Sequence, residues 1–271
     1  MCPPKPSSQI HENQGAEKAI AWVMVALAAS LGGLSMVAFT VFLFAGPLEL
    51  IELGLGQWGG MATNAGLSLL FFFQHSGMVR QPFKRWLADF VPEHYIGAIF
   101  SIASGTVLLS VVLVWQESDQ VVVIATGVWW WIARALFFLA IGGVLWGTLS
   151  LRGFDSLGLG PIKNRFRASA QKPSRLAVRG PYRWMRHPLY FFVLLMIWSY
   201  PYLTVDRALF NVLWTLWIAI GSVLEERDLI AEFGDRYRVY QCNVPMLIPN
   251  RISGWIDPDD DPTYRNAGKS E

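Results

Sequence analysis

The chain is poor in charge and in cysteine. Of its 271 residues 15% are Asp, Glu, Lys or Arg, while 53% are hydrophobic; an ordinary soluble domain carries about a quarter charged residues. So few charges cannot cover a water-exposed globule, and the shortage points to lipid as the solvent. The two cysteines, Cys2 and Cys242, lie far apart and furnish neither a disulfide framework nor a metal-ligand spacing. There is no Walker-type loop, no zinc-ligand set and no G-x-G-x-x-G between a strand and a helix, which argues against a Rossmann-type cofactor site. Metal and nucleic acid are therefore not expected partners. The first apolar block is too long for a signal-peptide core and no convincing cleavage site comes after it, so it is expected to stay as an anchor.

What the sequence does have is long apolar runs. Crossing a hydrocarbon core of roughly 30 Å takes about 20 apolar residues in a helix. Four blocks meet that length: Ala19 to Phe44, Gly59 to Val79, Tyr95 to Trp115, and one within Val121 to Leu151. Two more, Leu189 to Tyr202 and Val205 to Leu224, flank a short break from Pro201 to Asp206. The first of that pair is short for a crossing, and the two read as a tight helical hairpin. The expected fold is all-α: a polytopic membrane protein of five to six transmembrane helices, closed by the C-terminal hairpin and followed by a cytoplasmic amphipathic helix. One domain is expected over residues 1–271, with tails at 1–18 and 252–271 and a cofactor-binding half at 180–249.

Lys and Arg in short loops set orientation, and here they are one-sided. Two precede the first span, three (Arg80, Lys84, Arg85) follow the second, nine lie from Arg152 to Arg186 and six follow Leu224. Only Arg134 and Arg207 fall elsewhere. Both termini and the basic loops are thus expected on the cytoplasmic side of a membrane of the bacterial inner type. Trp129, Trp130 and Trp131 suit an interfacial aromatic belt, which leaves Arg134 one turn deeper, either snorkelling or turned inward to a function.

Three segments carry chemistry. The densest runs from Arg179 to Tyr190 (Arg179-Gly180-Pro181-Tyr182-Arg183-Trp184-Met185-Arg186-His187-Pro188-Leu189-Tyr190). Pro188 suits the first position of a helix, where its missing N–H costs nothing. The helix N-terminus beside Arg183 and Arg186 suits a carboxylate or phosphate, or the same residues form a juxtamembrane patch for anionic lipid headgroups. The second segment, Glu225 to Tyr240, places Glu226, Ile230, Phe233, Tyr237 and Tyr240 on one helical face. Aromatics around a carboxylate suit a cationic, adenine-bearing ligand; the alternative is an amphipathic helix lying on the membrane. The third is Gln74-His75-Ser76 at the end of the second span, where His75 is either a packing residue or an intramembrane functional group.

Taken together these residues resemble a known group. Arg186-His187-Pro188-x-Tyr190, followed by Glu225-Glu226 and Phe233-Gly234-x-x-Tyr237-x-x-Tyr240, is similar to the C-terminal half of the integral-membrane methyltransferases, which include isoprenylcysteine carboxyl and phospholipid methyltransferases. Gln74-His75-Ser76-x-Met78, Phe83-Lys84-Arg85-Trp86, Phe154-Asp155-x-x-Gly158-Leu159 and Val244-Pro245-Met246-Leu247-x-Pro249 resemble the bacterial membrane methanethiol S-methyltransferase family. The resemblance covers about residues 66 to 249 and departs at Phe192, where that family usually has a glycine. It implies a helical membrane fold that binds S-adenosylmethionine on its cytoplasmic side and forms dimethyl sulfide. It further implies cofactor contacts from Tyr182, Arg186, His187, Pro188, Leu189, Tyr190, Glu225, Glu226, Tyr237 and Tyr240, with Arg186 on the methionyl carboxylate and a glutamate on the amine or ribose.

Methyl transfer from a sulfonium needs in-line positioning in a dry site, and a thiol acceptor must be ionised when it attacks. On the acceptor side we nominate His75 and Gln74 as base or orienter, and Arg134 for the case in which it turns inward. The expected partners are a small thiol and membrane lipids. Three rival readings remain: a methyltransferase for a lipid-borne acceptor, a sterol-reductase-like protein sharing only the Arg-His-Pro-x-Tyr-like segment, and a non-enzymatic membrane protein.

Overall fold

Backbone groups inside lipid must bond to one another, and the apolar runs are accordingly helical. The computed structural model describes residues 7–151, 155–167, 176, 178–250 and 255; the expected tails, apart from residues 7–18 and Trp255, and Phe154 lie outside them. Four helices are long and apolar enough to cross a membrane, Gly15–Ala45, Glu93–Leu113, Val128–Ser150 and Val205–Phe233, and they make this an integral membrane protein. The expected tail from residue 7 onward is helical, since α1 begins at Ser7. The expected second span is α3 (Gln57–Val79), 23 residues long but carrying Asn64, Gln74 and His75, and it is not one of the four.

Contacts divide the chain into two compact units: Met1–Phe42, Pro47–Glu117 and Asp155–Lys172 form the first, and Leu43–Gly46, Ser118–Phe154 and Pro173–Glu271 the second. The first contains α1 (Ser7–Leu27), a π turn (Ala28–Gly32), most of α2 (Gly33–Ala45), α3, α4 (Gln81–Ala88), α5 (Glu93–Leu113) and α7 (Gly160–Arg167). Small residues let these elements meet closely. A Cβ at Gly105 of α5 would lie 2.7 Å from the Leu31 carbonyl oxygen, and one at Gly97 would lie 2.8 Å from Gly158 Cα. With Ser101 between them, the two glycines make a stripe of small residues spaced four apart, of the kind on which membrane helices pack. Buried Asn64 on α3 donates to the Gln116 carbonyl at 2.7 Å and accepts from its N–H at 2.8 Å, which fixes the end of α5.

The second unit contains α6 (Val128–Ser150), α8 (Pro188–Trp198), α9 (Val205–Phe233) and α10 (Asp235–Asn243). The expected hairpin is uneven. Helix α8 has 11 residues, about 16 Å of rise, short of a crossing by itself, whereas α9 has 29; the residues after α8 carry the chain on to the other end of α6, where the Ala125 N–H donates to the Pro201 carbonyl at 2.8 Å. Leu189 and Phe192 of α8 press on Gly147 and Gly143 of α6. Two features depart from the all-α expectation. Strand β1 (Val121–Ile124) pairs antiparallel with β2 (Tyr202–Thr204), Ile124 opposite Tyr202; β-branched Val121-Val122-Val123-Ile124, expected inside a helical span, favours a strand instead. The helix expected to continue past Leu224 through Tyr240 breaks at Gly234, whose φ of +59° is open to glycine at little cost.

The end of α2 is sealed within this second unit. The last carbonyls of a helix lack internal partners; here Leu43 O accepts from Arg207 at 3.1 Å, Ala45 O from the Tyr200 hydroxyl at 3.0 Å, and Phe44 O from Arg134. The guanidiniums of Arg134 and Arg207 lie 5.7 Å and 4.7 Å from the centroid of the Tyr200 ring, and their charge suits a helix C-terminus.

Candidate functional site

Helix α8 begins at Pro188, as its sequence predicts, with His187 at the cap. The turn before it faces α9 and α10. Arg186 Nε donates to Glu226 Oε1 at 2.6 Å, and Arg186 Nη1 donates to the Gln241 carbonyl at 3.0 Å and to that of Val244. The backbone runs the same way: the N–H groups of Arg186 and His187 donate to the carbonyls of Pro245 and Met246, at 2.9 and 3.0 Å. Glu226 Oε2 accepts from Gln241 Nε2 at 2.9 Å. Planar Arg186 with its fork of donors is suited to this many-sided role.

Beside this knot stands a second, more open group. Tyr190 donates to Glu225 Oε2 at 2.7 Å, and its ring stacks on His187 at 5.4 Å between centroids. His187 Nε2 lies 3.2 Å from Glu226 Oε1 and Nδ1 lies 3.7 Å from Glu225 Oε2. Burial pushes the His187 imidazole below its ordinary value, aided to a lesser degree by the Arg186 charge, and this outweighs the two carboxylates. Tyr182, Tyr237 and Tyr240 are pushed upward, chiefly by burial, so they act as neutral hydroxyls. Tyr240 donates to the Tyr182 carbonyl at 2.6 Å. Tyr237 and Tyr240 pack with Val178 and Val244, inside the fold.

Of the residues proposed from sequence, those from Tyr182 to Tyr190, Glu225, Glu226, Tyr237 and Tyr240 converge in this one unit. Arg186, assigned by resemblance to a ligand carboxylate, is occupied by Glu226 and two carbonyls. Gln74 and His75 belong to the first unit: Gln74 Nε2 donates to Ser104 Oγ at 3.1 Å, and the His75 ring lies between Phe71 and Phe100, at 5.1 and 5.0 Å. Arg134 does not join the cluster. It sits about 20 Å along α6 from Gly147, at 1.5 Å per residue, with its guanidinium on Phe44.

Residues 79–243 match a family described as "Protein of unknown function (DUF1295)". The chain is 35% identical over 187 residues to the methanethiol S-methyltransferase of Pseudomonas deceptionensis, covering 68% of this chain and 71% of that one. It is 34% identical over 198 residues to the protein of that name from Mycobacterium tuberculosis, covering 70% and 79%. The chain belongs to the methanethiol S-methyltransferase family. Nurim of Sus scrofa is more distant, at 26% over 182 residues, 62% of this chain and 68% of that one. No solved structure matches. The methanethiol S-methyltransferase motifs read from sequence fall on α3, on α4, just before α7 and just after α10, and the broader membrane-methyltransferase motif on α8, α9 and α10; all of them omit Gln241, which touches both members of the Arg186–Glu226 pair. A signal existed: Tyr237, Tyr240, Gln241 and Val244 recur at i, i+3, i+4 and i+7, so a polar side chain lies on an otherwise apolar face.

Proposed function

We propose that the protein is an S-adenosylmethionine-dependent methyltransferase of the bacterial inner membrane that converts methanethiol to dimethyl sulfide. The reading is carried by the turn from Arg186 to Tyr190 closing on Glu225 and Glu226, in a chain about a third identical to proteins named for that reaction. The donor set fits the cofactor. A half-exposed carboxylate beside aromatic faces attracts a sulfonium or ammonium, and Glu225 beside Tyr190 and His187 is such a group. When bound, S-adenosylmethionine supplies an electrophilic methyl group on sulfur. Tyr190 orients Glu225 through its hydroxyl. Neutral His187 braces the Tyr190 ring, and the buried tyrosines Tyr182, Tyr237 and Tyr240 help to keep water out, which strengthens electrostatic attraction at the site.

On the acceptor side we assign Gln74 to orient the thiol and His75 to orient it or take its proton. With α3 and the arm containing α8 crossing alongside the four long helices, the basic loops and both termini face the cytoplasm, because Lys and Arg near span ends are retained there. Membranes containing the protein, supplied with methanethiol and S-adenosylmethionine, should release dimethyl sulfide into the headspace; a flat trace overturns the substrate. His75→Ala should lose turnover while remaining folded in the membrane, and full turnover removes His75 from the mechanism.

A further inference from the structure

We propose that Gln241 is a positioning residue that splits the adjacent glutamates into a fixed member, Glu226, and a ligand-facing member, Glu225; this rests on the methyltransferase reading of the same site. Glu226 is largely occupied. Its Oε1 takes Arg186 Nε at 2.6 Å and faces His187 Nε2 at 3.2 Å, and its Oε2 takes Gln241 Nε2 at 2.9 Å. A carboxylate has about four acceptor sites, and three of these are engaged. Its side chain is 12% exposed and that of Arg186 11%. A cationic ligand approaching Glu226 would also meet the Arg186 charge.

Glu225 is the opposite case. Its side chain is 45% exposed, and it receives the Tyr190 hydroxyl on Oε2, which leaves acceptor sites for an ammonium or a ribose hydroxyl. Gln241 joins the two halves. Its side-chain amide holds Glu226 while its backbone carbonyl takes Arg186 Nη1 at 3.0 Å, so Arg186, Glu226 and Gln241 close a ring, of which Gln241→Met removes only the Glu226 link. Glu226 then faces His187, His187 stacks on Tyr190, and Tyr190 holds Glu225. Losing the Gln241 amide frees one oxygen of Glu226 and loosens that chain of contacts. Neither the substrate nor the cofactor need touch Gln241.

The test compares Glu225→Gln, Glu226→Gln, Gln241→Met and the Glu226→Gln/Gln241→Met double variant, all full length in membranes. It reads KM for S-adenosylmethionine, kcat and the thermal midpoint. Glu225→Gln should raise KM by about tenfold or more, the worth of one hydrogen bond to a charged group, with the midpoint unchanged. Gln241→Met should raise KM severalfold with kcat nearly unchanged, and the double variant should be no worse than Glu226→Gln alone. Wild-type KM in Gln241→Met, effects of Gln241 and Glu226 that multiply, or a silent Glu225→Gln overturns the proposal. Where Glu226→Gln does not fold, Gln241→Met alone decides by its split between KM and kcat. Wild-type protein that neither binds S-adenosylmethionine nor forms dimethyl sulfide overturns the function reading and this proposal together.

Discussion

His187 faces two carboxylates and still titrates below an ordinary histidine, because the loss of water around its ring outweighs their attraction. Its folded value is depressed relative to the unfolded value of about 6.5, so on the acid side the unfolded chain binds the extra proton. Stability is therefore complete above about pH 6.5 and falls as pH drops towards the depressed folded value. Melting midpoints taken from about pH 8 to pH 5 should fall less steeply for His187→Gln than for wild type; equal slopes would remove His187 as the cause. At this scale the sequence showed which side chains gather but not how they divide. The spacing of Arg186, His187, Tyr190, Glu225 and Glu226 displayed a cluster. That Arg186 turns to Glu226 and two carbonyls depends on where residues 241–246 return, and no local pattern encodes a contact 58 residues away.

At the scale of elements, the packing of α8 on α6 explains the departure at Phe192. A bulky ring stands where the resemblance leads one to expect glycine, and its space comes from α6: a Cβ at Gly143 would run into the Phe192 ring. Overpacking of this kind costs roughly 1–3 kcal/mol, against a gain of about 1 kcal/mol in helix propensity for Gly→Ala. Gly143→Ala should lower the thermal midpoint, and adding Phe192→Ala should cost less than the sum of the two single losses, since residues in contact do not add. Simple additivity in that cycle would mean the ring does not depend on the glycine. Helices were legible because their apolar runs are long, and the shortness of α8 was legible from its length. The β1–β2 ribbon was not, because its four residues, Val121–Ile124, merge into the apolar block of α6. Gly234 stood in plain view as a helix breaker, yet the aromatic spacing on either side of it masked the turn.

For the whole molecule, the asymmetry of Lys and Arg was the strongest sequence signal, and it predicts a topology that two thiols can read. Cys242 and Asp119 are both exposed and lie on opposite sides of the proposed membrane. In a Cys2→Ser background, an impermeant maleimide added to intact spheroplasts should label Asp119→Cys at once and Cys242 only after lysis; early labelling of Cys242 reverses the orientation. Long-range pairing was the part that sequence could not show, and at the sealed end of α2 it imposes an order on assembly. The donors that satisfy Phe44, Ala45 and Leu43 lie 90, 155 and 164 residues later in the chain. The N-terminal anchor is synthesised long before Arg134, Tyr200 and Arg207 exist, so it enters the bilayer with bare carbonyls at its end. The last span thus completes the first: a nascent chain released before residue 207 keeps an anchor whose terminal carbonyls lack the Arg207 donor.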